Sequence, residues 1–328
     1  MAPSIRSVRP VCHALDGVLL LDKPSGLSSQ NALARAKRLM CAAKAGHTGT
    51  LDPLASGLLP LCFGNATKFT QDLLDATKCY EATLALGAIT TTGDTQGKIV
   101  NLHPVRCNLD DIRAVLARFR GNLMQTPPMY SALKRDGKPL YAYARRGITL
   151  DRPARPITIK TLELLDAQLR TSAEPSALRI HVVCSKGTYI RALAQDIGNA
   201  LGCGAHLSAL RRIGIGRFNV ADAVPLEALE QADYAARTAH LRPLDTLLLA
   251  YPAARLDARL SERFKRGQRL RLPDHFQFEN APISTMPNAS ADGVMPRVRV
   301  YDEMERLLGA GRFIRGVLEP QRLIHFHL

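Results

Sequence analysis

Tryptophan is absent from this chain of 328 residues, and all aromatic residues together make up 5% of it. That scarcity argues against a platform of several exposed rings for stacking single-stranded bases, and favours backbone and shape contacts. Cysteine is present but unorganised. Cys12, Cys41, Cys62, Cys79, Cys107, Cys184 and Cys203 are odd in number and never spaced as Cys-x-x-Cys. Neither a disulfide framework nor a zinc site is indicated, and reduced thiols in a cytoplasmic protein are the simplest account. No metal and no cofactor are expected. The N-terminal apolar run Gly17-Val18-Leu19-Leu20-Leu21 stops at Asp22-Lys23, too short for a signal or membrane-spanning segment. The glycine-rich phosphate loop Gly-x-x-x-x-Gly-Lys-Ser/Thr is missing, as is the Gly-x-Ser-x-Gly elbow. A phosphate-loop enzyme and a Ser/His/Asp hydrolase built on His47 and Asp52 are therefore poor readings.

Acid is scarce relative to base: 44 Lys and Arg face 29 Asp and Glu, for a net charge of +15. Such an excess points to a polyanionic partner, nucleic acid before membrane, although charge alone leaves open a basic surface with no partner. The length suggests about two domains and a sizeable core.

One carboxylate stands out in Gly46-His47-Thr48-Gly49-Thr50-Leu51-Asp52-Pro53-Leu54-Ala55-Ser56-Gly57-Leu58-Leu59-Pro60-Leu61. Glycine and proline shape this loop, and Leu58, Leu59 and Leu61 anchor it in a core. A rigid, partly dry Asp52 suits a nucleophile or a base. The residues alone leave open an aspartate that merely closes a turn.

Around it the chain reads as mixed α and β. Gly17 to Leu21 is a buried strand. Ser28 or Ser29 caps a helix with Leu33, Ala36, Leu39 and Met40 inward, and a short helix ends near Asp75. Tyr80 to Leu86 alternates as a strand, Asn108 caps a helix burying Ile112, Val115, Leu116 and Phe119, and Pro156 to Leu165 and Leu178 to Cys184 are strands. Thr188 is the expected cap of a helix running to about Leu201. From about Tyr251 a small β-rich unit follows, opening at Phe264 to Leu270 and continuing with strands at Val298 to Tyr301 and Phe313 to Leu318. Residues 276–296, rich in Pro, Asn, Ser and Ala, read as a mobile loop. His325 and His327 alternate on a terminal strand and need not bind metal.

Gly46-His47-Thr48-Gly49 followed by Leu51-Asp52-Pro53-Leu54-Ala55-Ser56-Gly57 resembles the catalytic motif of the TruB family of pseudouridine synthases, whose aspartate falls on Asp52. Asp22-Lys23-Pro24-Ser25-Gly26 resembles the family's first motif, whose Lys-Pro pair supports the active-site loop, and Lys186-Gly187-Thr188-Tyr189-Ile190-Arg191 resembles the one whose arginine pairs with that aspartate. The resemblance is strong over residues 16–220 and looser beyond. Residues 1–15, which carry Arg6 and Arg9 with little periodicity, read as a loose basic arm. The resemblance implies an α+β catalytic domain over 16–250 with a mostly antiparallel sheet, and a PUA-like RNA-binding domain over 251–328.

By the same resemblance Asp52, Tyr80 and Arg191 are catalytic. Arg191 holds the carboxylate ionised through bidentate hydrogen bonds, and Tyr80 stacks on the base and can help remove the C5 proton. Lys23, His47, Lys68, Tyr189 and Leu210 contact the substrate, Leu210 as an apolar wall and His47 from the loop that steadies the opened T loop. Thr90 to Gly97 resembles the loop that follows the Tyr80 strand in the family. Lys138-Pro139-Leu140-Tyr141-Ala142-Tyr143-Ala144-Arg145-Arg146 resembles a region that touches RNA. The implied reaction is isomerisation of a T-loop uridine of tRNA by a monomer. The competing reading is a non-catalytic RNA-binding or RNA-folding protein with the same basic surface. On either reading, tRNA affinity measured by filter binding should fall at least about tenfold between roughly 50 and 200 mM salt, because each phosphate contact releases counterions.

Overall fold

The computed structural model describes residues 14–169, 176–280 and 294–325. Its largest sheet runs in the order Val224–Pro225, Gly17–Lys23, Ser56–Phe63, Ala205–Ile215, Lys78–Leu86, Ala177–Cys184, Arg155–Gln168, Gly121–Gln125. Ala45–His47 adds to the Ser56 strand and Phe218–Asn219 to the Ala205 strand. Most neighbours are antiparallel. The exceptions are Gly17–Lys23 with Val224–Pro225, and Ser56–Phe63 with Ala205–Ile215, where Arg211 meets Ser56 and Arg212 meets Gly57.

Three amphipathic helices, Ser29–Leu39, Leu109–Arg118 and Ile190–Ala200, cover one face. Their Leu33, Ala36, Ile112, Leu116, Leu193 and Ile197 share a core with Leu19, Leu21, Leu59, Leu61, Leu84, Ile180 and Val182 of the sheet. Val18, Leu20, Leu58 and Cys62 point the other way, onto Phe69, Leu247, Leu248 and Ala310. A strand buried on both faces reads as one unbroken apolar run, which is why Gly17 to Leu21 shows no alternation. Ser28 caps the first helix and Asn108 the second, the latter in a capping box with Asp111.

Ala253–Arg255, Val294–Tyr301, Leu307–Ile314, Val317–Leu323 and Leu270–Arg271 form a second, five-stranded sheet. Its core of Leu256, Phe264, Leu270, Phe278, Val298 and Phe313 is its own. Several sequence expectations change here. Phe264 and Lys265 close the helix Ala258–Lys265, capped by Asp257, instead of opening a strand. Phe313 to Leu318 is two strands, because Arg315 (φ 47°) and Gly316 (φ 81°) make a two-residue hairpin that brings Ile314 opposite Val317. Of the expected mobile loop, residues 281–293 lie outside the described residues. At its edges Phe278 is buried, stacking edge-on against Phe276 and Phe313, and Met295 is buried on a strand. His325 follows the last strand instead of lying on it; His327 and residues 1–13 lie outside the described residues.

Thr188 is not the cap of the helix Ile190–Ala200. Its hydroxyl donates to the Ser185 carbonyl at 3.0 Å, tightening the turn, and Tyr189 occupies the cap position with its N–H donated to Gln125 Oε1 at 2.8 Å.

Gly57 shows how tightly the Asp52 loop is set against the sheet. Its φ is +100°, and a Cβ there would lie 2.3 Å from the Arg212 carbonyl oxygen. Gly57→Ala should lower unfolding stability by about 2 kcal/mol or more in denaturant titrations, since neither backbone can retreat. Gly137→Ala, with φ +76° and nothing within 4 Å, should cost only the left-handed strain of about 1 kcal/mol.

Candidate active site

The Asp52 loop is pinned from three directions. Ser29 Oγ accepts from Leu51 N at 2.7 Å and donates to Leu51 O at 2.9 Å. Gly26 N donates to Pro53 O at 2.7 Å, and Ser25 Oγ to Leu54 O at 3.0 Å. From below, Arg212 donates through Nε to Leu58 O at 2.8 Å and through an Nη to Gly49 O at 3.1 Å. Buried backbone acceptors that are each satisfied leave the loop one conformation.

Arg191 reaches Asp52 from the first turn of its helix. Its Nε donates to Asp52 Oδ2 at 2.8 Å, its two other nitrogens to Thr92 O at 3.1 Å and Tyr130 O at 2.7 Å, and the side chain is only 5% exposed. The expected bidentate pairing is therefore not formed. The rest of the fork is spent on two carbonyls, which fixes the plane of the guanidinium while Asp52, 38% exposed, still faces open space. Asp94 Oδ2 lies 3.8 Å from Arg191 Nε, and the other Asp94 oxygen accepts from Thr92 Oγ1 and Gln96 N.

Asp52 opens on a cavity of about 780 Å³ whose walls include His47, Tyr80, Tyr189, Leu210 and Arg212. Tyr80 and Arg212 are direct cross-strand partners, and both line the cavity. Burial pushes the Tyr80 phenol above its ordinary value, with the Arg212 charge acting against it, so the ring is neutral at physiological pH. Burial and then Arg212 push the His47 imidazole down, and its Nδ1 is buried with no partner. His47 thus presents a neutral ring to whatever fills the cavity.

Asp52, His47, Tyr80, Tyr189, Leu210 and Arg191 are brought together as the sequence suggested. Lys23 and Lys68 are not. Lys23 is fully buried beneath the loop, its Nζ donating to Pro24 O at 2.8 Å and Leu27 O at 2.7 Å, so it supports the turn instead of meeting substrate. Lys68 donates to Leu323 O at 2.8 Å and ties the two sheets together. Sequence reasoning passed over Arg212, Asp94, Gln125 and Lys78, the last of which lines the cavity with its Nζ on the carbonyls of Leu73, Leu74 and Ala76. All four are polar residues buried by tertiary contacts that no local pattern marks. Among the described residues no three His, Cys, Asp or Glu side chains are grouped to hold a metal, and no helix is long and apolar enough to cross a membrane.

A carboxylate steered by a buried arginine at the edge of a base-sized hollow, on a mixed sheet with a β-rich C-terminal unit, defines a class of enzyme architecture that comparison identifies. The chain matches the TruB family pseudouridylate synthase N-terminal domain over residues 37–190, and two C-terminal domains of the same family over 191–251 and 252–324. It is 56% identical over 312 residues to a tRNA pseudouridine synthase B of Burkholderia mallei, covering 95% of this chain and 98% of that one. It is 54% identical over 309 residues to that of Cupriavidus metallidurans, covering 94% of each. Among solved structures, archaeal Cbf5 in a box H/ACA complex with Nop10 shares the fold, with a TM-score of 0.66 at 24% identity over 95% of this chain and 86% of that one. A second, an H/ACA ribonucleoprotein bound to a substrate RNA containing 2′-deoxyuridine, gives 0.65 at 22% identity over 94% and 85%. The chain belongs to the TruB family of pseudouridylate synthases.

Burial, then the charge of Arg212, hold Lys23 down to about 8 against an ordinary lysine value of 10.5. Between those two pH values the unfolded chain keeps a proton that the folded chain has released, so stability rises with pH across that window. The stability difference between the unsubstituted protein and Lys23→Met, from urea titrations, should therefore shift toward the unsubstituted protein by up to ~3 kcal/mol from about pH 8 to pH 10.5.

Proposed function

We propose that this protein converts a uridine in the T loop of tRNA, at tRNA position 55, to pseudouridine, acting as a cytoplasmic monomer without metal or cofactor. The observation that supports this reading best is the placement of Asp52, with Oδ2 2.8 Å from Arg191 Nε at the edge of a cavity of about 780 Å³. That volume lies within the range of small-ligand sites, ~300–1,000 Å³. The reaction breaks the C1′–N1 glycosidic bond, turns the uracil while it is held, forms a C1′–C5 bond and removes the C5 proton. Asp52 acts as nucleophile on base or sugar, or as the base that drives glycal formation. Arg191 holds Asp52 in one direction. Tyr80, Tyr189 and Leu210 enclose the base, and His47 contacts the opened loop with its uncharged ring.

A uridine stacked in a folded arm has to be flipped into this cavity, at a cost of a few kcal/mol. Contacts to phosphates offset that. The hairpin Lys134–Arg135/Lys138–Pro139 and the helix Leu140–Ala144 after it carry exposed Lys134, Arg135, Lys138, Arg145 and Arg146. Arg145 lies over the Tyr141 ring, 5.2 Å from its centre, and both line the cavity. On this reading the second sheet, from about residue 251, serves as a PUA-like RNA-binding domain, and the N-terminal basic arm as a further phosphate contact.

The test separates catalysis from binding. Asp52→Asn should bind unmodified tRNA transcript as the unsubstituted protein does in filter binding, and yield no pseudouridine by chemical mapping. Unchanged turnover by that variant overturns the assignment of Asp52. An unsubstituted protein that binds tRNA but modifies nothing favours the RNA-binding reading instead.

A further inference from the structure

The mechanism leaves one group at the centre of the site without a task. Arg212 is 1% exposed, the largest of the fully buried side chains, and sits in the middle of the strand Ala205–Ile215. A buried guanidinium ordinarily takes a carboxylate partner. Among the described residues Arg212 forms no ion pair; its hydrogen bonds go to the carbonyls of Leu58 and Gly49, and Tyr80 stands directly across the strand pair. Neutral oxygens satisfy its hydrogens but not its charge. Of these neighbours Tyr80 can become an anion, and its ring faces the cavity where the base would lie.

The proton balance of the isomerisation calls for such a pair. Whatever bond Asp52 makes, N1 leaves C1′ without a hydrogen and ends with one, while C5 begins with a hydrogen and ends without. A neutral phenol closes both gaps. Its own proton goes to N1, and the phenolate left behind takes the proton from C5, whose electron pair becomes the C5=C6 bond. The phenol is regenerated and nothing enters from outside.

We propose that Arg212 is the positioning residue that makes Tyr80 an effective proton shuttle: it aims the phenol oxygen at the base and stabilises the phenolate formed there. The proposal rests on the reading of the protein as a uridine isomerase. A cation held in a dry site, aimed where charge develops and needing no rearrangement to meet it, is the arrangement that favours a buried anion. Gly49 and Leu58 carbonyls fix the guanidinium from the other side, so the same residue that holds the Asp52 loop sets the position of the shuttle.

The experiment uses the full-length protein and tRNA transcribed with uridine or with uridine deuterated at C5, under single-turnover conditions. Arg212→Lys keeps a cation but loses the fork, and should slow conversion by about 10²-fold, the lower range of assistance from a positioned proton-transfer group. The C5-deuterium isotope effect on that rate should become larger than in the unsubstituted protein, because removal of the C5 proton now limits the reaction. A second substitution leaves Arg212 and its backbone contacts intact: fluorotyrosine at position 80, whose phenol is more acidic, should move the pH–rate profile to lower pH. Placed in the Arg212→Lys background it should restore part of the lost rate. A slowed Arg212→Lys with an unchanged isotope effect and no rescue by fluorotyrosine would mean that Arg212 only supports the loop, and would overturn the proposal. An unsubstituted protein that converts no uridine in the same assay would remove the isomerase reading itself, and this one with it.

Discussion

Two guanidinium groups are buried under one cavity, and much of the site follows from what their burial demands. Removing a charge from water is costly unless hydrogen bonds and opposite charge replace the lost hydration. Arg191 is met by Asp52, by the Thr92 and Tyr130 carbonyls and, at longer range, by Asp94. Arg212 is met by the Leu58 and Gly49 carbonyls and lies directly across the strand pair from Tyr80. These donors thereby fix different pieces of chain: the Asp52 loop, the loop carrying Asp94 and the segment entering the basic hairpin. Segments far apart in sequence converge because two cations have to be satisfied at one place.

This dependence explains what could and could not be read from the chain. The shaped loop around Asp52 was legible because its neighbours are glycines, prolines and leucines, whose conformational demands are local, but those residues alone fit an aspartate that closes a turn, and the catalytic reading came from the motif it resembles. Arg191 was legible through its motif. Arg211 and Arg212 are adjacent and identical in type, and a strand sends them to opposite faces. Arg211 pairs with Asp22 at the partly exposed edge, while Arg212 is buried at the centre, and nothing local says which is which. Lys23 and Lys68 look like exposed basic residues by composition, yet both end on backbone carbonyls, Lys23 on Pro24 and Leu27 and Lys68 on Leu323, through the way the chain folds over them. The tight turn at Arg315-Gly316 was missed for the opposite reason, since two short apolar strands around a small turn read as one. Thr188 lost the cap position to Tyr189 because Gln125, from a distant strand, supplies the acceptor.

The second sheet is built into the catalytic unit at a seam of mixed chemistry. Phe69, Leu247, Leu248 and Ala310 share one apolar cluster. Around it, Lys68 bonds the Leu323 carbonyl, Asn65 bonds both Asp16 and the His325 carbonyl, and Arg297 pairs with Asp72 at 2.8 Å, with the Tyr251 hydroxyl on the same carboxylate. Asn65 and Lys68 lie in the short 3-10 helix Gly64–Phe69 that follows the Ser56–Phe63 strand. The strand that carries the Asp52 loop at one end is therefore braced by the C-terminal unit at the other.

Positive charge in this protein does two different things depending on where it lies. At the rim, the lysines and arginines of the basic hairpin are exposed, and the field of such surface charges reaches over a Debye length of ~8–10 Å. In the floor, desolvation together with the field of Arg212 pushes Lys23 and Lys78 each down to about 8 and lowers His47 as well. Both lysines still carry most of their charge at neutral pH, so burial makes that charge costly, and each offsets the cost by donating to backbone carbonyls: Lys23 to Pro24 and Leu27, Lys78 to Leu73, Leu74 and Ala76. With their hydrogens spent on the chain these two lysines hold the loops in place, while Asp52 stays partly exposed beside them.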